Sequence, residues 1–387
     1  MLFTQEMNRA MNLCLISDEF LKENPTGGIG TYTNQLFMAL TGAGHSVTVI
    51  TFGRYEKSKT KGNASLFVIK RYPIPFLSVI VDPFLVFLYT LKLNRQKRFD
   101  AIEAPEWHAL SFFLVLFNRL TGVLPPIVVR LHCPLVISRL YNREKLSNFD
   151  KVRNWMERFT AKNSTAINCP SNALAVWAKK QWNLKRKIAV IPNFIDNKYL
   201  GITSAEKKEK IVLFMGNLAY IKGFDVFLKA LPFLEEESDV QFHIMGRKSS
   251  NPAINLMLDK SLANSRNVHY LGFLEGESKF REIQESSVIV LPSLWETFPM
   301  ACIESMAASK IIIASIVGGF PEIIINGKNG FLVPPGEPKI LASVIKQVLN
   351  MDQTRKELIQ ENARLTVEKN FSAKIVAKKI IAFYQTL

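Results

Sequence analysis

The chain has 387 residues, 48% of them hydrophobic and 21% charged, which excludes a disordered protein and predicts two domains or more, each with its own core. The net charge is +16, and residues 1–205 carry 27 Lys and Arg against 13 Asp and Glu, so nearly all the excess sits in the first half. That asymmetry points to general solubility or to an anionic partner, which is nucleic acid, an anionic membrane surface or a phosphorylated acceptor. Cys14, Cys133, Cys169 and Cys302 are scattered without metal-ligand spacing, which predicts reduced thiols and a cytoplasmic location. The first ten residues lack a cationic flank followed by an apolar stretch, so no secretory signal is expected.

Strands and helices alternate along the chain, the pattern of parallel sheets in an α/β fold. Met11–Ser17 reads as the first strand, Ile29–Leu40 as a helix with Ile29, Tyr32, Leu36 and Leu40 on one stripe, and Val47–Phe52 as the second strand. Ile74–Leu93 is long and apolar, but Asp82-Pro83 divides it. That pair predicts a helix with Asp82 at the N-cap and Pro83 at the first position, not a membrane span. The helix either belongs to the core or offers a membrane-contacting face beside Lys92, Arg95, Lys97 and Arg98. Phe99–Glu103, Ile127–Leu131, Thr165–Cys169 and Ile188–Pro192 continue as strands. A polar linker over 198–210 follows, and the pattern restarts with strands at Ile211–Met215, Val240–Met245, Val268–Leu271, Val288–Leu291 and Ile311–Ser315. The expected organisation is a first doubly wound domain over 1–197 and a second over 211–370. A final helix over 371–387 is expected to pack back on the first. Ligands of such folds lie between the carboxyl ends of the strands.

Three stretches carry chemistry. Gly27-Gly28-Ile29-Gly30 opens a helix after the first strand and permits close approach to a ligand. Lys222 in Gly216-Asn217-Leu218-Ala219-Tyr220-Ile221-Lys222-Gly223 stands at another helix start, where cation and dipole together suit a pyrophosphate. Trp295 to Glu304 sets two carboxylates, Glu296 and Glu304, around the start of a helix expected to have Pro299 as its first residue, with the Phe298 to Met300 backbone between them. Free N–H groups there attract phosphate, while the carboxylates accept from hydroxyls. Phosphate flanked by hydroxyls describes a nucleotide sugar.

These residues, in this order, resemble the family-4 retaining glycosyltransferases of the GT-B fold, as do Gly318-Gly319-Phe320-Pro321-Glu322 and Pro192-Asn193-Phe194-Ile195-Asp196. The resemblance implies two Rossmann-like domains facing across a cleft, a nucleoside-diphosphate sugar as donor, and no cofactor. It implies that Lys222 meets the pyrophosphate and that Glu296 faces the transferred sugar. Phe298, Pro299 and Met300 would hold sugar and distal phosphate, Glu304 the ribose, and Gly28 the diphosphate from the opposite domain. His132 matches a histidine near the donor sugar, with a satisfied loop histidine as the other reading. Arg247 and Leu274 fall where members meet the base. One departure stands out: Asn217 replaces a usual arginine, and an Asn gives only neutral hydrogen bonds.

Glu103, Glu106, Trp107 and His108 lie at or just beyond a strand's carboxyl end and are acceptor candidates. The Trp107 face suits sugar stacking or core packing. No DxD triplet occurs, so a metal-bound diphosphate is not indicated. The reading is a retaining, hexosyl-type transferase. Its acceptor is lipid-linked or a polysaccharide at the cytoplasmic membrane face. A small soluble acceptor and a sugar-nucleotide-binding scaffold are the alternatives. No helix-turn-helix or aromatic-basic platform supports nucleic acid.

Overall fold

The structure is a computed structural model, and it describes residues 9–20, 27–72, 77–195, 199, 210–237 and 239–387. The expected linker falls almost wholly outside them. In the first half the strands are β1 (Asn12–Ile16), β2 (Ser46–Gly53), β3 (Lys57–Lys61), β4 (Ala64–Lys70), β5 (Ala101–Pro105), β6 (Ile127–Arg130), β7 (Ala166–Cys169) and β8 (Ala189–Val190). They form one sheet in the order β3-β4-β2-β1-β5-β6-β7-β8. Every pair is parallel except β3 with β4. The second half adds β9 (Lys210–Met215), β10 (Val240–Met245), β11 (Val268–Gly272), β12 (Val288–Leu291), β13 (Ile311–Ser315) and β14 (Phe331–Val333). These make an all-parallel sheet in the order β11-β10-β9-β12-β13-β14. Central strands such as Val288–Leu291 are buried along their whole length, as a sheet covered by helices on both faces requires.

The helices are α1 (Gly28–Gly42), α2 (Ser78–Lys97), α3 (Phe112–Thr121), α4 (Leu135–Tyr141), α5 (Asn148–Asn163), α6 (Asn172–Gln181), α7 (Phe224–Ala230), α8 (Pro252–Asn264), α9 (Gly276–Glu285), α10 (Met300–Ala307), α11 (Pro338–Leu349), α12 (Gln353–Asn370) and α13 (Ala373–Gln385). Helix α13 joins the first half's core: Val376, Ile380 and Tyr384 pack with Leu36, Leu40 and Val47.

Two expectations change. Asp82 is not an N-cap, because α2 starts at Ser78 and runs through Pro83. Asp82 is buried and its carboxylate pairs with Arg71 at 3.2 Å, so a tertiary ion pair takes the side chain expected to cap the helix. Pro299 is the N-cap of α10, not its first helical residue. No helix among the described residues is long and apolar enough to cross a membrane.

In the second sheet β9 is flanked by β10 on one side and β12 on the other. The crossovers diverge there, which opens a crevice at the carboxyl ends of β9 and β12. The Gly216–Lys222 and Pro292–Glu296 segments leave those strands.

Candidate functional site

The crevice brings Gly28 of the first half against Gly216, Lys222, Glu296, Phe298 and Met300 of the second, around a cleft of about 160 Å³. Two backbone contacts hold Glu296 in place. The Leu294 N–H donates to the Ile221 carbonyl at 2.9 Å, tying its loop to the Lys222 loop. On the other side, the Gly319 N–H donates to the carbonyl of Glu296 itself at 2.9 Å. The result is a direct ion pair, with Lys222 Nζ 2.6 Å from Glu296 Oε2. Burial alone would push the Lys222 ammonium down, but the Glu296 charge and hydrogen bond outweigh it and hold Lys222 above its ordinary value. Lys222 is therefore a fixed cation, and nothing in the motifs marked Glu296 as its partner.

Beside the pair, α10 points its N-terminus into the same cleft. Among the described residues, no protein acceptor meets the N–H groups of Met300 and Ala301. Pro299 has no N–H, so Ala301 replaces it among the expected donors. The dipole of α10 and these free donors add to the positive field of Lys222.

The remaining donor candidates spread further. Asn217 and Arg247 line an adjoining cleft with Tyr220 and Asn142. The Arg247 guanidinium lies 3.9 Å over the Phe273 ring. Leu274 packs on the apolar cluster of Met245 and Ile303. Glu304 is buried, and Lys279 Nζ holds its Oε2 at 2.7 Å. Lys279 was not foreseen; it is one of 49 Lys and Arg residues with no motif around it. Glu19 was also missed. Its carboxylate accepts from the Gly27 N–H at 2.5 Å and the Gly30 N–H at 3.2 Å, so it occupies the start of α1, the place expected to receive phosphate.

His132 places its ring edge-on to Tyr32, with centroids 5.1 Å apart. Burial first, then the Arg130 charge, hold its imidazole well below the ordinary histidine value, so it is neutral near pH 7. The next residue, Cys133, packs with Ile221 and Trp295 of the second half. All four cysteines are unpaired.

Two acceptor candidates are corrected. Glu103 is buried and accepts from Tyr32 at 2.9 Å, Asn168 at 3.1 Å and Tyr384 at 2.8 Å. Its oxygens are taken by donors the sequence places far away. Glu106 is fully buried and accepts from the His132 and Cys133 N–H groups at 2.8 and 2.7 Å; it shapes the His132 turn and offers nothing to an acceptor. Trp107 and His108 are half-buried with their rings 4.9 Å apart. His108 Nδ1 lies 3.0 Å from Asp18 Oδ2, and its φ of 61° is a left-handed conformation uncommon outside glycine.

Burial pushes the Glu106 carboxyl up to about 7. Burial and the Glu106 charge also push Glu157 well above its ordinary value. For both, the folded state binds protons that the unfolded state has lost, so stability falls as pH rises above the ordinary glutamate range of about 4.3, for Glu106 through about 7. The depressed His132 has the opposite sign, so the informative quantity is a difference. Urea unfolding at pH 5 and pH 7.5 should show that Glu157→Gln removes part of the wild-type loss. An unchanged pH dependence in that variant contradicts the assignment.

Comparison with known proteins comes from two directions. Residues 26–199 match the family model described as glycosyltransferase family 4, and residues 197–365 match that of glycosyl transferases group 1. An uncharacterized glycosyltransferase of Methanocaldococcus jannaschii is 32% identical over 177 residues, covering 46% of this chain and 45% of the relative. A phosphatidyl-myo-inositol mannosyltransferase of Mycobacterium leprae is 28% identical over 181 residues, covering 46% and 47%. The matched stretch thus spans about half the length of these relatives. Sucrose-phosphate synthase of Thermosynechococcus elongatus superposes with a TM-score of 0.83 over 97% of this chain and 98% of its own, at 20% identity. The Anabaena protein HepE, solved with UDP and glucose, superposes with a TM-score of 0.73 over 97% and 100%, at 17% identity. These likenesses establish the GT-B fold.

Proposed function

The chain belongs to the glycosyltransferases of family 4 and group 1, and from that premise we propose that it transfers a sugar, with retention, from a nucleoside-diphosphate sugar to a lipid-linked or polysaccharide acceptor. The observation that carries the donor half is the Lys222–Glu296 pair at the start of α10, with Gly28 across the cleft. A diphosphate entering there meets Lys222 and the free N–H groups of Met300 and Ala301. Phosphate competes with Glu296 for the ammonium, which leaves the Glu296 carboxylate to accept from sugar hydroxyls. The Glu19 carboxylate leaves the start of α1 when phosphate approaches Gly28, since two anions repel at one helix start.

In the transfer, the bond from the anomeric carbon to the phosphate oxygen breaks and one to the acceptor oxygen forms on the same face. The acceptor's proton goes to the departing phosphate. Lys222 and α10 stabilise the negative charge that develops on the diphosphate, and Glu296 faces the positive charge on the sugar ring. Neutral His132 offers the sugar a hydrogen bond and no second cation. The protein itself supplies the cation, Lys222, and the dipole of α10, and no metal is assigned. For the acceptor half, support comes from the basic first half of the chain and from the relative named for a phosphatidyl-inositol substrate.

A thermal-shift and product-release screen with UDP-, GDP- and ADP-sugars tests the proposal. One of them should stabilise the protein and be consumed. A protein neither stabilised nor active with any of them overturns it, and stabilisation without turnover favours the scaffold alternative. Asn217→Arg should tighten nucleotide-sugar binding at least about fivefold, because it restores a charge-assisted bond to phosphate. An unchanged Kd, measured by calorimetry, would show that Arg247 or another cation already fills that role.

A further inference from the structure

The first half carries an exposed apolar surface that the transfer chemistry does not use. On α2, Ile80, Phe84 and Leu88 are each about half exposed, at 53%, 44% and 46%. Their spacing of four sets them on one stripe of the helix. On α5, Val152 and Trp155 are exposed at 46% and 56%. Helix α3 joins the two stripes through a chain of touching rings. Phe84 meets Phe113 at 5.5 Å, Phe113 meets Phe112 at 5.2 Å, and Phe112 meets Trp155 at 5.6 Å. The exposed stripes of α2 and α5 are therefore linked through the rings of α3, of which Phe113 is half-buried and Phe112 buried.

Charge on these helices is sorted by depth. Their acidic residues, Asp82, Asp150 and Glu157, are all buried. Every exposed charged residue on them is a cation: Lys92 and Arg95 on α2, Arg119 on α3, and Lys151, Arg158 and Lys162 on α5. Off these helices, exposed Glu56 accepts from Tyr89 of α2 at 2.7 Å; cations still predominate around the apolar, aromatic centre, which disfavours a second copy of the same face and suits an anionic bilayer surface. The position also fits. Asp82 near the start of α2 pairs with Arg71, Arg71 pairs with Asp18, and Asp18 meets His108. The stripe thus begins within one short chain of contacts from the acceptor candidates Trp107 and His108.

We propose that the outer faces of α2, α3 and α5 dock on an anionic lipid bilayer and bring a lipid-carried acceptor to the cleft. The proposal deepens the acceptor half of the function above and rests on that reading. The donor half is independent of it.

Co-sedimentation with vesicles provides the test. The protein should bind vesicles of equal parts phosphatidylglycerol and phosphatidylcholine. Binding should fall at least about tenfold on pure phosphatidylcholine or in about 0.5 M salt. The double variant Phe84→Glu, Trp155→Glu changes only exposed side chains. It should lose at least about tenfold in partition coefficient on the mixed vesicles, while its thermal shift with nucleotide sugar stays that of wild type. Wild type that stays in the supernatant with both vesicles overturns the proposal, as does a double variant that binds like wild type. Self-association of wild type that the double variant abolishes, without vesicle binding, assigns the surface to a second copy and overturns it too. The nucleotide-sugar shift separates the two readings. With the shift present and vesicles unbound, docking alone fails; with the shift absent, the donor reading fails whatever the vesicles do.

Discussion

Replacing Glu296 by glutamine is expected to lower kcat for transfer by roughly two to three orders of magnitude, the scale of removing one preorganised charge from a transition state. Glutamine keeps the side chain's shape and its place between the Lys222 loop and Gly319. It removes the charge that faces the sugar ring as the bond to phosphate breaks. It also replaces the anionic 2.6 Å partner of Lys222 with a neutral acceptor that holds the ammonium less strongly. The ammonium is then freer for phosphate, so a nucleoside diphosphate should bind at least as tightly as to wild type. Lys222→Ala should show the opposite split, weakening diphosphate binding first. Turnover kinetics together with calorimetry on free UDP and GDP distinguish the two. A Glu296→Gln enzyme within tenfold of wild type in kcat would remove Glu296 from the chemistry.

Gly223→Ala and Gly318→Ala should prevent the second half from folding stably. Gly223 has φ +65°, and a Cβ there would lie 1.8 Å from the Pro292 carbonyl oxygen. Gly318 has φ +52°, and its Cβ would lie 1.7 Å from the carbonyl oxygen of Glu296. Backbone sits on both sides of each contact, so no side-chain rotation relieves it. Left-handed strain adds to the clash, and the cost should exceed about 3 kcal/mol. These glycines let the Lys222 loop, the strand end after β12 and the Glu296 loop touch, so the same close approach that fixes the ion pair makes alanine intolerable. Gly28→Ala is the contrast. Nothing lies within 4 Å of its would-be Cβ, so it should fold like wild type and alter only nucleotide-sugar affinity. Thermal unfolding of the three variants is the check, and a Gly318→Ala protein with wild-type Tm would contradict the packing.

Much of the fold was legible because buried parallel strands are short apolar runs. Val240–Met245, Val288–Leu291 and Ile311–Ser315 have the bounds read from the sequence. β3 was missed because Lys57–Lys61 is exposed along its length and gives no hydrophobic signal, whereas the buried Val68 and Ile69 of β4 did carry one. The start of α2 was misplaced because Arg71 claims Asp82. In the site, motifs carried Lys222, Glu296 and Gly28 into one cleft. Position at a strand end misled for Glu103: β5 runs on to Pro105, so Glu103 is its middle residue, and Tyr32 and Tyr384, 71 and 281 residues away, close over it. Glu19 and Lys279 act through partners distant in sequence or unmarked by any motif, and only the folded chain shows them.

One anion site, built by Lys222 and the start of α10, should receive the donor diphosphate. A crystal structure of the protein with UDP or GDP, whichever binds in the screen, tests it most directly. The distal phosphate should lie within hydrogen-bond distance of Lys222 Nζ and of the Met300 or Ala301 N–H, with Glu296 released from the ammonium. A diphosphate seated elsewhere, with the Lys222–Glu296 pair intact, would contradict it.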